Sequence, residues 1–341
     1  MLDDLNYIAQ IDADNSLAVT AGQCEQLNYS NFDAGGINKR KINNVVLAGM
    51  GGSALAGLIC QNWLNISVPF QVVREYSLPE YVGKDTLVIV SSYSGNTEES
   101  LEMLKAAHKK RALIVAITSG GVLERAAKKQ KYPVLKMPEN YQQRMTTFFQ
   151  IKLITAVLEA VGLVSGAIKQ LEDAYTFVSS EAQKLIPQIE TKNNQAKQIA
   201  EELLGKTPII YAGPSLASAA YKWKISFNEN AKNTAWCGVL PEFNHNEFVG
   251  WSSHPVEKPF GVIKLRSNLD HKQVQKSFDL TNKLLSGQMP KAVEVNVKGS
   301  NHIKQLLGAV QLGDFVSIYL AVLNNVNPTP VRLIEKLKKE L

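Results

Sequence analysis

Thr86-Leu87-Val88-Ile89-Val90-Ser91-Ser92-Tyr93-Ser94-Gly95-Asn96-Thr97-Glu98-Glu99 runs from an apolar stretch into a hydroxyl-rich turn and then into a helical pattern. The apolar part reads as a buried strand over 86–90, and the helix is expected to open near Thr97. A helix start carries unpaired N–H groups at the positive end of its dipole, which suits an anion. Ser92, Ser94 and Thr97 add short hydroxyl donors, and Gly95 lets the backbone bend close. The expected ligand is a phosphorylated small molecule, held without a metal.

Outward from this turn the same pattern recurs. Strand candidates at 44–48, 70–75, 113–118 and 133–137 alternate with helix-patterned stretches at 53–63, 98–108 and 122–129, which reads as βαβ units on a parallel sheet. Residues 148–198 carry long amphipathic helical patterns and no strand. The first pattern then restarts with a strand at 207–212, a small-residue turn Gly213-Pro214-Ser215-Leu216-Ala217-Ser218, and a helix toward Asn230. Further strands are expected at 261–265 and 292–297, with helices at 271–285 and 303–326. Asn327-Pro328-Thr329-Pro330 then ends the last long helix ahead of a short charged one. Val46 to Ala56 and Ile210 to Ala217 share the order strand, Ala-Gly, small turn, Ser, helix, which indicates an internal duplication. The expected fold is therefore α/β, with one domain over 1–150, a helical region over 151–205 and a second domain over 206–341.

The 341 residues, 45% of them apolar, suffice for two buried cores. A formal charge of +6 is modest, and the lysines are scattered rather than interleaved with stacking aromatics, so nucleic acid is not an expected partner. Cys24, Cys60 and Cys237 lack paired zinc or redox spacing. The acidic start Met1-Leu2-Asp3-Asp4 does not have the layout of a secretory signal, and no apolar run is read as long enough for a membrane span. A cytoplasmic protein is expected.

Gly49-Met50-Gly51-Gly52-Ser53 fits a GxGxxA dinucleotide pattern with Ala54, and Glu75 lies near the end of the next strand. A dinucleotide site, however, does not need a second hydroxyl-rich helix start after a later strand. Gly52 with Ser53, and Ser92 with Ser94 and Thr97, instead read as two helix N-termini meeting at one sheet edge around a small phosphate-bearing ligand. Thr118-Ser119-Gly120-Gly121 reads equally as a lining of that edge or as a turn with an N-cap. A second polar constellation comprises 227–232 and 241–247. There Glu229 is a candidate general base and His245 a candidate proton shuttle, with no two-histidine metal spacing. Arg144 follows the last strand of the first sheet, where a guanidinium can offset a developing oxyanion, although sequence alone reads it as one more surface arginine.

These residues resemble the sugar isomerase (SIS) domain. Asn228-Glu229-Asn230-Ala231-Lys232, Glu242-Phe243-Asn244-His245-Asn246-Glu247 and Asn327-Pro328-Thr329-Pro330-Val331 resemble the bifunctional phosphoglucose/phosphomannose isomerases. The resemblance implies two αβα sandwich domains of SIS type and a homodimer in which His245 serves the site of the partner subunit. It implies hexose 6-phosphate substrates and no cofactor or metal. By the same resemblance Gly52, Ser53, Ser92, Ser94 and Thr97 hold the phosphate, Glu229 moves a proton between C1 and C2, and Arg144 holds the enediolate. His245 and Lys338, with Lys336 as rival, open the sugar ring, and Thr329 leaves room for rotation about C2–C3. The family often has proline and small residues beside the arginine, where this chain has Gln143 and Met145-Thr146-Thr147. A phosphosugar-sensing protein without catalysis is the alternative, ahead of an amino-sugar-forming isomerase and an NAD dehydrogenase.

Overall fold

The computed structural model describes residues 1–37, 40–252 and 259–340, the side chains of 338 and 339 excepted. The described chain divides into two compact units, one formed by Gln23–Tyr175 and the other by Met1–Gly22 together with Thr176–Leu341.

The first unit is built on a five-stranded parallel sheet of order β2-β1-β3-β4-β5. Its strands are β1 (Asn44–Gly49), β2 (Phe70–Val73), β3 (Thr86–Ser91), β4 (Leu113–Thr118) and β5 (Val134–Lys136). Alternate residues leave opposite faces of a strand, and here both faces are covered. Val46, Ala48, Val88, Val90, Ile114 and Ala116 join one core with Met103, Leu104 and Leu123 from the helices Glu98–Lys109 and Gly121–Lys129. Val45, Leu47, Leu87, Ile89, Val115 and Ile117 are buried too, and on this side helices Gly51–Trp63 and Thr147–Ala160 pack together. Burial on two faces is why these strands read as unbroken apolar runs.

The second unit has a four-stranded parallel sheet of order β7-β6-β8-β9, with β6 (Thr207–Ala212), β7 (Trp236–Val239), β8 (Phe260–Arg266) and β9 (Val293–Asn296). Its first, second, third and fourth strands follow the same spatial order as those of the first sheet. The initial strand of each sheet feeds a 13-residue helix, Gly51–Trp63 in one and Ala217–Glu229 in the other. The duplication inferred from two short sequence matches is thus visible as repeated topology. Sequence reading missed β7, a four-residue edge strand in a polar region with Trp236 exposed.

The compact units differ from the expected ranges at the N-terminus, where Met1–Gly22 groups with the C-terminal residues, and in the expected helical region 151–205, which is split after Tyr175. The Tyr7 hydroxyl donates to the Val322 carbonyl at 3.3 Å, Gln311 Nε2 donates to the Thr20 carbonyl at 3.2 Å, and Lys197 Nζ pairs with Asp3 at 3.0 Å. Such pairings across the length of a chain leave no local signal.

The reading that no apolar run approaches a membrane span is also corrected. Helix His302–Leu323, at 22 residues, is long and apolar enough to cross a bilayer, yet 89% of its most apolar window is buried. It is the core helix of this unit, crossing helix Ala217–Glu229 where the indole of Trp223 lies against Gly313 and donates to the Ala309 carbonyl at 2.7 Å. Beside that crossing Lys222 forms a buried ion pair with Asp314. Lys222 donates to Ser226 Oγ at 2.8 Å, Ser226 donates to Asp314 at 2.7 Å, and Asn230 donates to Ser317 Oγ at 2.9 Å. Positions 222, 226 and 230 recur every four residues along one face, so the network fixes the rotation of the helix that ends in Glu229. Removing one partner strands a buried charge, at a cost of about 3–5 kcal/mol. Lys222→Met or Asp314→Leu alone should therefore lower the urea midpoint of this unit sharply, while the double replacement should recover most of the loss.

Candidate active site

In the first unit β1 and β3 are adjacent, with Gly49 in register with Ser91, so the turns that follow them lie side by side at the carboxyl edge of the sheet. Helix Gly51–Trp63 follows β1 with Met50 at its N-cap, and helix Glu98–Lys109 follows β3 with Thr97 at its N-cap; neither cap is made by a side chain. The hydroxyls nearby are accordingly not explained as caps. Ser53 is fully buried, and its Oγ has no hydrogen-bond partner among the described residues. An unmet buried hydroxyl costs roughly 1–3 kcal/mol, and such groups recur where a ligand completes them. Thr97 Oγ1 lies 2.9 Å from Ser92 Oγ, which accepts from the Gly95 N–H at 3.1 Å, while exposed Ser94 accepts from the Asn96 N–H at 3.2 Å.

The turn is braced from the β4 side. Ser119 donates from both N and Oγ to the Tyr93 carbonyl, at 3.0 and 2.7 Å, and the Leu123 N–H reaches the Gly95 carbonyl at 2.8 Å. Thr118 Oγ1 donates to the Gly120 carbonyl at 2.8 Å. Both hydroxyls of the 118–121 stretch are therefore engaged by backbone, which settles its ambiguous sequence reading in favour of a structural turn. Gly95 has φ +66°, and a Cβ there would stand 1.8 Å from the Gly120 carbonyl oxygen, so no other residue fits.

Arg144 is 4% exposed, in the short 3₁₀ turn Gln143–Met145, and is not the surface arginine suggested by sequence alone. A Cβ at Gly52 would lie 3.4 Å from the Gln143 carbonyl oxygen and 3.8 Å from Arg144 Cα, so the turn after β1 and the arginine turn are in contact. Gln143, Met145 and Thr146 hold this turn through polar links. Thr146 Oγ1 donates to the Gln143 carbonyl at 2.7 Å, Gln150 Nε2 to Thr146 at 2.9 Å, and Ser91 Oγ to Gln150 Oε1 at 3.2 Å. Gln26 donates to the Met145 carbonyl at 2.6 Å. Tyr93, whose phenol is pushed up by burial, donates to the Pro138 carbonyl at 3.1 Å and accepts from the Tyr141 N–H at 2.8 Å. Gln26, Tyr93 and Gln150 were not singled out from sequence, since nothing local distinguishes them.

In the second unit Glu229 is the last residue of its helix and half-buried. It lines a pocket of ≈ 820 Å³ with Lys224, Lys232, Trp236, Asn327 and Arg332. Lys232 donates to the carbonyls of Glu229 at 2.7 Å and Pro328 at 2.9 Å, which ties the 228–232 motif to the 327–330 motif. The Thr329 hydroxyl lies 2.7 Å from Ser16 Oγ. Exposed His245 ends the 3₁₀ turn Glu242–His245 and is not among the residues lining that pocket. The side chain of Lys338 lies outside the described residues; its rival Lys336 is exposed on helix Arg332–Glu340. Among the described residues no cluster of three or more His, Cys, Asp or Glu is arranged to hold a metal ion.

Two parallel αβα units, each with paired βα turns at one sheet edge, define a double SIS-domain protein. Residues 39–160 match the SIS domain and residues 192–341 match the bacterial phospho-glucose isomerase C-terminal SIS domain. A glucose-6-phosphate isomerase like protein from Thermus thermophilus superposes with a TM-score of 0.69, covering 99% of this chain and 98% of that one at 16% identity. The chain is 34% identical over 309 residues to a bifunctional phosphoglucose/phosphomannose isomerase of Caldicellulosiruptor bescii, covering 89% of this chain and 91% of the relative. It is 28% identical over 296 residues to a D-glucosamine-6-phosphate 4-epimerase of Sulfolobus acidocaldarius, covering 85% and 87%. The protein belongs to the bifunctional phosphoglucose/phosphomannose isomerase family and is a phosphosugar isomerase.

Thr97→Val removes no helix cap but does remove the contact with Ser92 Oγ, so it should cost about 0.5–1.5 kcal/mol, the net worth of one hydrogen bond. Inorganic phosphate affinity, followed by calorimetry, should fall about tenfold, the equivalent of one net hydrogen bond to a charged group. Lost stability with unchanged affinity would return Thr97 to a purely structural role.

Proposed function

We propose that this protein interconverts glucose 6-phosphate and mannose 6-phosphate with fructose 6-phosphate through a cis-enediol. The observation that carries the phosphate half of this reading is the Ser53 hydroxyl, without a partner among the described residues, beside two helix starts without side-chain caps. Ser53, Ser92, Ser94 and Thr97, with the backbone at Gly52, hold the phosphate dianion by hydrogen bonds and helix dipoles.

The two aldoses differ only at C2, so removing that proton gives both the same planar intermediate. The Glu229 carboxylate takes the C2 proton, the released electron pair forms the C1–C2 double bond, and negative charge moves onto O1. Arg144 offsets that charge. A proton passes from O2 to O1, and protonated Glu229 returns the proton it took to C1 as the C2–O2 double bond forms, which gives the ketose. His245, donated by the partner subunit of a homodimer, and Lys338 or Lys336 open the ring beforehand. The exposed position of His245, away from the Glu229 pocket, supports its assignment to a partner's site. The protein acts in the cytoplasm, without a cofactor.

Glu229→Gln keeps the shape and removes the base. Turnover of both aldose phosphates, assayed with a chelator present, should drop by about 10²–10⁴-fold with phosphosugar affinity nearly unchanged. Wild-type turnover in that variant would falsify the assignment of the base. The 4-epimerase relative motivates a second reading on amino sugars; consumption of glucosamine 6-phosphate in preference to both hexose phosphates would favour it.

A further inference from the structure

The second unit repeats the paired turns of the first but fills them differently. β6 and β8 are adjacent, with Ala212 in register with Leu265, so the turn after β6 and the turn after β8 lie together as those after β1 and β3 do. In the first unit the turn after the third strand offers hydroxyls. In the second it carries Asp270, whose carboxylate reaches the turn after β6. Asp270 Oδ1 accepts the Ser215 N–H at 2.9 Å, at the start of the 3₁₀ turn Pro214–Leu216 that leads directly into helix Ala217–Glu229. A Cβ at Gly213 would lie 2.1 Å from Asp270 Oδ2, so the carboxylate rests flat on that backbone.

Asp270 is 5% exposed, and Oδ2 has no hydrogen-bond partner among the described residues. Among the described residues Asp270 forms no ion pair; the local positive field comes from the helix start it faces. The carboxylate is held there by its own backbone. Gln275 donates to the Asp270 carbonyl at 2.8 Å, and Ser267 engages Gln305 at 2.6 Å while accepting the Leu269 N–H at 3.0 Å. His302 Nε2 meets the Ser215 carbonyl at 2.7 Å on the other side.

We infer that the second unit retains an oxyanion cradle that is filled from within the chain, the Asp270 carboxylate standing where a tetrahedral oxyanion such as phosphate otherwise binds. The duplicated chain therefore offers one open phosphate cradle rather than two. The comparison with the first unit rests on the reading of its turns as a phosphate site; the occupancy of the second by Asp270 does not.

The test uses the full chain with Ser53→Ala, Ser94→Ala and Thr97→Val introduced to silence the first cradle, followed by Asp270→Ala or Asp270→Ser. Melting is recorded against inorganic phosphate at constant ionic strength. Each Asp270 variant should acquire a phosphate-dependent rise in Tm of roughly 3 °C that the silenced parent lacks, as expected for a new site filled to about ten times its Kd. Asp270→Asn, which keeps the Oδ1 acceptor and the bulk, should acquire none. Equal phosphate dependence in the parent and in the Ala and Ser variants would overturn the inference, as would a gain of equal size in Asp270→Asn. A silenced parent that still responds to phosphate as wild type does would instead count against the reading of the first cradle, and the gain on removing Asp270 would still decide the second.

Discussion

The backbone of two turns meets at the carboxyl edge of the first sheet, and the arrangement of hydroxyls there depends on that approach. Gly95 lies against the Gly120 carbonyl with no room for a side chain, and Ser119 and Leu123 lace the β4 turn to the β3 turn. These braces come from backbone and from Thr118 and Ser119; Ser92, Ser94 and Thr97 add contacts within the turn itself, while the Ser53 hydroxyl has no partner among the described residues. A turn braced in this way is already ordered in the free protein, and preorganisation of that kind lowers the ordering cost of binding a ligand. The same edge supports Arg144 through Gly52 and through the chain Ser91, Gln150, Thr146.

The second unit solves the opposite problem. Its longest helix is apolar enough to have no preferred rotation by hydrophobicity alone, and a buried polar network at Lys222, Ser226, Asn230, Asp314 and Ser317 supplies that specification. Glu229 stands at the end of the helix so fixed, with Lys232 joining its carbonyl to the Pro328 segment. Duplication thus yields two sheets of one topology. The first keeps its hydroxyl-lined turns, and the second carries the carboxylate of Glu229 on the helix after its first strand.

Much of this was legible in the sequence. Parallel strands buried on both faces write apolar runs bounded by turn residues, so β4 and β6 were read to the residue and most of the others within one or two positions. β7 was missed because a four-residue edge strand among polar residues has no such signature. The grouping of Met1–Gly22 with the C-terminal residues rests on packing and hydrogen bonds between positions distant in sequence, and the apolarity of helix His302–Leu323 was underread because its glutamines and Asp314 interrupt it. At the candidate site the residue types pointed to phosphate and proton-transfer chemistry. Only coordinates distinguish a serine that braces a turn, as Ser119 does, from one whose hydroxyl is left without a partner, as in Ser53. The burial of Arg144 and the supporting roles of Gln26 and Gln150 follow from tertiary packing that no local pattern encodes.

The central claim is that a carboxylate of this chain moves a proton between neighbouring sugar carbons. Glucose 6-phosphate carrying deuterium at C2, converted in ordinary water and followed by proton NMR of the fructose 6-phosphate formed, tests it most directly. Proton transfer through an enediol predicts that solvent hydrogen appears at C1 in a measurable share of the product. Complete retention of the deuterium at every stage of conversion would contradict it, because the hydrogen would then have passed between the carbons without exchange at an enzyme base.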